Sequence, residues 1–98
     1  MLVKIIKTYR DVVAICDTEI LGKYFEEGDF QLDLKESFYG GDEKTEQEVI
    51  EIIQDLQRED ATFNIVGEKS IKAAVESGLI EKNSAGTIAG IPFAFVLL

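Results

Sequence analysis

The chain contains 98 residues, with 19 acidic and 10 basic side chains, no histidine, no tryptophan and one cysteine. Histidine is the usual general base and the commonest metal ligand, so its absence excludes a Ser-His-Asp triad, a Cys-His dyad and a Cys/His zinc site within one chain. The length fits a single domain over residues 1–98, its 46% hydrophobic content suffices for a core, and we expect neither a cofactor nor a metal ion.

The first third of the chain is predicted to be mostly β-structure. Segments rich in Val and Ile over residues 2–7 and 12–16 predict two strands, and the short polar turn between them indicates an antiparallel hairpin. Asp17 follows as the expected N-cap of a short helix that ends at Gly22. Residues 30–34 alternate apolar and polar side chains, which predicts a strand with one buried face.

Two helices are predicted in the second half of the chain. Thr45 and Glu48 form a capping box, and the apolar spacing behind it is typical of a helix packed on one side. The second helix is closed by Gly78 and the apolar Leu79, as in a Schellman motif. The predicted bounds are residues 45–58 for the first helix, 61–66 for an intervening strand and 68–77 for the second helix.

The C-terminal segment is predicted to be β-structure, as one bent strand or two. Pro92 belongs at a sheet edge or a bulge, because it has no N–H for a ladder. The apolar stretch Phe93–Leu98 is either a central strand or an edge strand that pairs with another chain. The element order predicts an α+β fold, a two-layer sandwich with two main helices on one face of a mixed β-sheet, as a monomer or a homodimer through the C-terminal strand.

The charge is concentrated in the middle of the chain. Residues 17–60 hold 15 acidic and 4 basic side chains, whereas residues 61–98 hold three of each. Direct nucleic-acid binding is not expected over this acidic middle, because carboxylates repel phosphates. The acidic surface either suits a basic protein partner or only maintains solubility. The single Cys16, the lack of a signal peptide and the shortness of every apolar run predict a cytoplasmic protein that does not enter a membrane.

The segment Phe38-Tyr39-Gly40-Gly41 is the sharpest local feature of the sequence. Two aromatic side chains before a glycine pair form either a binding platform for a base, a peptide or a partner, or a tight turn held by aromatic rings in the core. The adjacent glycines indicate either positive φ angles or a close approach to other atoms.

Three further groups are candidates for chemistry, each with a structural alternative. Gly67-Glu68-Lys69-Ser70 lies at a strand-to-helix junction, where bare amides bind anions, but it departs from the phosphate-loop pattern and also fits an ordinary helix start. Cys16 is either a thiol activated near a helix N-terminus or a buried, inert side chain. Five carboxylates are candidates for an Mg²⁺ or Ca²⁺ site, or else form plain surface charge: Asp29, Asp33, Glu36, Asp42 and Glu43.

Seven short motifs are spread along the chain: Cys16-Asp17, Leu21-Gly22-Lys23, Glu27-Gly28, Glu36-Ser37-Phe38-Tyr39-Gly40-Gly41, Asn64-Ile65-Val66-Gly67, Gly78-Leu79-Ile80 and Gly90-Ile91-Pro92. Together they resemble the archaeal "domain of unknown function 424" family over nearly the whole chain. The resemblance implies a compact cytoplasmic archaeal α+β domain without an established activity, whose genes tend to lie among translation genes. That family tends to carry a histidine after the C-terminal proline, where this chain has Phe93.

Two functions are compatible with these observations. The first is a non-enzymatic interaction module for translation or RNA-processing partners, with two groups of candidate binding residues: Phe38, Tyr39, Gly40 and Gly41, and then Asn64 and Gly67. The second is a small ligand- or anion-binding protein, or a histidine-independent enzyme, that uses carboxylates, Lys23 or Lys69, and helix-terminal amides.

Overall fold

The computed structural model describes residues 1–98 and has an α+β fold with eight strands and three helices. The strands are β1 (Leu2–Ile6), β2 (Val12–Cys16), β3 (Tyr24–Glu27), β4 (Phe30–Asp33), β5 (Asp42–Glu43), β6 (Thr62–Val66), β7 (Gly86–Ile88) and β8 (Ile91–Val96). The helices are α1 (Glu36–Tyr39), α2 (Glu46–Gln57) and α3 (Glu68–Glu76), and a 3-10 turn spans Thr18–Ile20. None of these helices has the length and apolarity that crossing a bilayer requires.

Six of the strands form one mixed sheet in the order β5-β1-β2-β6-β8-β7. The predicted β1–β2 hairpin is antiparallel, with Val3 opposite Ile15. Strands β2 and β6 are parallel, which requires a long connection, and β8 returns antiparallel to β6. Strands β3 and β4 pair only with each other and form a separate two-stranded ribbon. The predicted α+β class and mixed sheet are therefore confirmed.

One face of the sheet is covered by α2 and α3. Side chains alternate between the two faces along a strand, and Ile15, Phe63 and Ile65 point to this side. They pack in one buried cluster with Ile53 of α2 and Ala74 of α3, and all five are fully buried. We call this side the helix face.

Both predicted helix ends are formed as expected. Thr45 Oγ1 accepts a hydrogen bond from the Glu48 N–H at 3.2 Å, and Glu48 Oε1 accepts one from the Thr45 N–H at 2.9 Å, so the capping box is complete. At the end of α3, Gly78 has a φ of 88°, and the Leu79 N–H donates to the Ala74 carbonyl at 3.2 Å. These are the features of a Schellman closure.

The opposite side of the sheet, which we call the ribbon face, is covered only in part, by the β3–β4 ribbon and α1. Its buried core has four side chains: Leu2, Cys16, Leu34 and Val66. At the periphery, the rings of Phe30 and Phe95 are 69% and 73% exposed. The two faces of one sheet are therefore packed to very different extents.

Asp17 does not cap the 3-10 turn that follows it, so that prediction was wrong. Its carboxylate caps α3 instead: Oδ1 accepts from the Ser70 N–H at 2.8 Å and from the Ser70 hydroxyl at 2.7 Å, and Oδ2 accepts from the Lys69 N–H at 3.1 Å. Because β2 and β6 are parallel neighbours, the residue after β2 lies beside the helix that follows β6. The partner of Asp17 is thus more than 50 residues away in sequence.

The C-terminal strand β8 lies inside the sheet, which agrees with the central of the two predicted alternatives, but Pro92 is then not on an edge strand. The Pro92 carbonyl accepts a hydrogen bond from the Gly67 N–H at 2.8 Å, so the ring nitrogen of Pro92 also faces the β6 side. Pro92 lies one residue beyond Val66 and Phe93, the last pair between β6 and β8. No ladder bond is lost at that position.

The predictions also left out β3, β5 and α1.

Candidate functional site

The ribbon face contains a cavity of about 380 Å³. It is bounded by β6 and β8 of the sheet, by β4 of the ribbon and by Tyr39 of α1. Its size falls in the range of roughly 300–1,000 Å³ that is usual for small-molecule sites. Nine of its 12 lining residues are hydrophobic, and the full set is Phe30, Gln31, Leu32, Asp33, Tyr39, Asn64, Ile65, Val66, Ile88, Phe93, Ala94 and Phe95. A broader depression of about 490 Å³ along α3 is lined mainly by charged side chains.

Asn64 is the polar side chain on the sheet side of this cavity. Only 7% of its surface is exposed, and it lies on β6 between Ala14 of β2 and Phe95 of β8. Its carboxamide makes no hydrogen bond within the chain. Every fully enclosed side-chain polar atom of the structure does have a hydrogen-bond partner, so the Asn64 carboxamide is not enclosed and opens to the cavity. A carboxamide carries two donors and one acceptor group. The cavity thus presents an unused hydrogen-bonding group among apolar walls.

The ribbon beside the cavity is acidic. Residues 24–33 contain four carboxylates and no basic side chain: Glu26, Glu27, Asp29 and Asp33. Lys35, just beyond β4, places its Nζ 3.8 Å from Asp33 Oδ2, with both groups exposed. Glu27 Oε1 accepts from the Ala89 N–H at 2.7 Å and so ties the ribbon to the turn between β7 and β8.

Two titratable groups on the ribbon face are strongly perturbed, and neither is activated. Burial, followed by the charge of Asp17, raises the pKa of the Cys16 thiol to about 11. Burial also raises the pKa of Tyr39 to about 12, with the charge on Cys16 acting in the same direction. Both groups are therefore protonated at neutral pH, which agrees with the inert alternative for Cys16.

The predicted platform residues are partly brought together. Tyr39 and Asn64, which are 25 residues apart in sequence, both line the cavity. Phe38 does not line it but packs edge-to-face on Tyr39, with ring centroids 4.9 Å apart.

The predicted glycines lie outside the cavity and have structural surroundings. Gly40 ends α1 with an ordinary φ of −78°, and a Cβ on Gly41 would collide with the Val3 carbonyl. The close-approach interpretation of this pair therefore holds. Gly67 has a φ of 111°, and a Cβ there would overlap the Asp17 carboxyl group, so this glycine makes room for the cap of α3.

The anion and metal alternatives are not supported by the geometry. The first-turn amides of Lys69 and Ser70 already donate to Asp17, so the helix start holds an internal anion. No group of three or more acidic or cysteine side chains is placed to hold a metal ion, and the five candidate carboxylates are dispersed.

Sequence reasoning missed the apolar residues that complete the cavity: Phe30, Leu32, Ile88, Phe93 and Phe95. The alternation over residues 30–34 did indicate a strand, and the Gly28-Asp29 turn before it could have indicated a hairpin with residues 24–27. No local pattern shows that this hairpin lies over β7 and β8.

The structure is thus that of an α+β domain with two helices on one face of its sheet and an apolar cavity on the other. The chain belongs to the family described as protein of unknown function (DUF424), which matches residues 6–98, as the motifs predicted. Its fold is similar to that in the crystal structure of an uncharacterized conserved protein from Methanopyrus kandleri. The TM-score is 0.88 at 25% sequence identity, over 97% of this chain and 88% of that chain. The comparison with curated proteins gave no match.

Proposed function

We propose that this protein is a non-enzymatic interaction module that binds a segment of a basic protein partner in the cavity of the ribbon face. The observation that carries the proposal is Asn64. As a residue Asn64 is only 7% exposed, yet its carboxamide opens into an apolar cavity and has no partner in the chain. A peptide group has one C=O and one N–H, so a peptide group of a bound segment can accept from one carboxamide N–H of Asn64 and donate to its Oδ1.

The charges around the cavity favour a basic partner. The ribbon that forms one wall carries four carboxylates and no basic side chain, in a chain with a net charge of −9. Complementary charge speeds association and selects against acidic partners and bare nucleic acid. The family resemblance in the sequence implies an association with translation genes, so the partner that we propose is a ribosomal protein or a translation factor in an archaeal cytoplasm.

An enzymatic role receives less support from the same cavity. Among the residues that line it, the titratable ones are Tyr39, which its raised pKa holds protonated, and Asp33, whose side chain points outwards from the ribbon. General acid–base catalysis uses groups whose pKa lies near the working pH. A small apolar ligand remains the second candidate because the cavity has the right volume.

The proposal is tested with Asn64→Leu and the matched control Asn83→Leu, which changes the other asparagine of the chain, in an exposed turn. Each protein is immobilised and incubated with nuclease-treated archaeal lysate, and retained proteins are identified by mass spectrometry and then purified and titrated. We expect a basic translation protein to bind the unchanged chain and Asn83→Leu, and to bind Asn64→Leu at least tenfold more weakly, a loss of about 1.4 kcal/mol.

Thermal unfolding shows whether the loss is specific. Asn64→Leu removes no internal hydrogen bond, so its melting temperature should stay the same or rise. A partner that binds Asn64→Leu as tightly as the unchanged chain would contradict the proposal. A thermal shift with small apolar ligands, lost in Asn64→Leu, together with no protein partner, would favour the second candidate.

A further inference from the structure

One edge of β4 is unpaired and lies along the cavity. The Leu34 N–H donates to the Lys23 carbonyl at 3.0 Å, so Leu34 faces β3. In an antiparallel pair the direction of the backbone groups alternates, so Leu32 and Phe30 also face β3, whereas Gln31 and Asp33 face the other way. Both of these residues line the cavity and belong to no second ladder. Their N–H and C=O groups form a free strand edge beside Asn64.

We infer that the bound segment is an extended peptide that adds to this edge as a third strand of the ribbon. The inference rests on the proposed function and specifies how the partner is held. A two-stranded ribbon is marginally stable, and a free edge with unpaired backbone groups pairs readily with another strand. Backbone pairing with Gln31 and Asp33 holds one edge of the segment, and the Asn64 carboxamide holds a peptide group on its other edge.

The two faces of the ribbon define the side chains that the segment carries. Phe25 and Leu32 point towards the sheet and pack on its core, so alternate residues of an added strand point into the apolar cavity. The residues between them point outwards, next to the side chains of Gln31 and Asp33 and close to Glu26 on β3. The segment therefore alternates apolar residues with lysine or arginine.

The probe for the experiment is a fluorescein-labelled, C-terminally amidated peptide in which four lysines alternate with three valines. The variant Gln31→Pro removes the N–H that faces the cavity and leaves the β3–β4 ladder intact, since that N–H points away from β3. The control Gln31→Ala removes the same side chain and keeps the N–H. We expect Gln31→Pro to weaken peptide binding at least tenfold relative to Gln31→Ala in fluorescence anisotropy.

The unchanged chain supplies a second measurement that does not depend on a variant folding. Peptides with a single N-methyl group at successive positions lose one backbone donor each. Strand addition predicts that N-methylation weakens binding at every second position and, in the other set, only at the one position that faces Asn64. It also predicts that a peptide with glutamate in place of lysine binds at least tenfold more weakly.

The outcomes separate the inference from the proposed function. Peptide binding that is lost in Asn64→Leu but unchanged in Gln31→Pro, with no two-residue period in the N-methyl series, overturns strand addition and leaves the function standing. Peptide binding that is absent, or indifferent to Asn64→Leu, overturns both. A dimer that forms without peptide and is abolished by Gln31→Pro would show that a second copy of the chain occupies the edge, and would also overturn the inference.

Discussion

The two faces of the six-stranded sheet use the same strands for different purposes. On the helix face, Phe63 and Ile65 of β6 are fully buried against two helices. On the ribbon face, the neighbouring β6 residue is Asn64, and the adjacent Phe95 is largely exposed. Dense packing stabilises a fold, whereas an open apolar surface with an unpartnered polar group is available to another molecule. We therefore expect stability to depend mainly on the first face and binding on the second.

The largest effect that tests this contrast is the removal of one aromatic ring from each face. Phe63→Ala should lower the free energy of unfolding by roughly 3–5 kcal/mol, because it leaves a cavity in the helix-face cluster. Phe95→Ala, its counterpart on the exposed side of β8, should change it by less than about 0.5 kcal/mol. Urea denaturation of both variants measures the difference. Equal losses would show that the ribbon face is packed more tightly in solution.

The second effect concerns Asp17, where the carboxyl end of β2 meets α3. Asp17→Ala should lower the free energy of unfolding by roughly 2–4 kcal/mol, because it leaves the part-buried amide of Lys69 and the buried amide and hydroxyl of Ser70 without an acceptor. Asp17→Asn keeps one acceptor and should lose less. Urea denaturation gives both values, and hydrogen exchange should show faster opening of the first turn of α3. Unchanged exchange there would mean that the cap is not the source of stability.

The smallest effect is a loss of stability at alkaline pH that originates on the ribbon face. Burial raises the pKa of Cys16 from 9.0 to about 11 in the folded state. Between these two values the folded chain keeps a proton that the unfolded chain releases, so stability is fully present below pH 9 and falls as the pH rises through 11. The loss amounts to roughly 2–3 kcal/mol, since each pKa unit corresponds to about 1.4 kcal/mol.

This loss is measured by urea denaturation at pH 8 to 11. Cys16→Ala should show a shallower decline than the unchanged chain, and the remaining slope should come from Tyr39, whose pKa is raised from 10.0 to about 12, and from Tyr24, whose pKa is raised too. The comparison uses the change of the free energy of unfolding with pH, so a pH-independent loss of stability from the smaller alanine side chain does not affect it. Parallel curves for the two proteins would place the thiol in contact with solvent.

Local patterns were sufficient for the elements of the helix face. The capping box at Thr45 and the glycine closure at Gly78 involve residues within a few positions of each other, so the sequence shows them directly. The ribbon face was predicted less well. Strand β3, with two glutamates in four residues, has no apolar run, and its pairing with β4 and its position over the sheet depend on contacts with distant segments.

The candidate site likewise combines residues that the sequence indicates with an arrangement that only the fold shows. Tyr39 and Asn64 were singled out from the sequence for separate reasons, and only the fold shows that they line one cavity. Gly67 was singled out as well, but its role in the structure depends on Asp17, 50 residues earlier in the chain.

The sequence by itself determined the α+β class, the two helices with their caps, the β1–β2 hairpin and the absence of histidine chemistry, because each depends on composition or on residues close together in the chain. Only the tertiary structure decided that Asp17 closes the start of α3, that one face of the sheet stays open and that β4 keeps a free edge beside Asn64. These features arise where strands distant in sequence become neighbours, and the free energy that brings them together is the burial of apolar surface, which has no directional signature in the sequence.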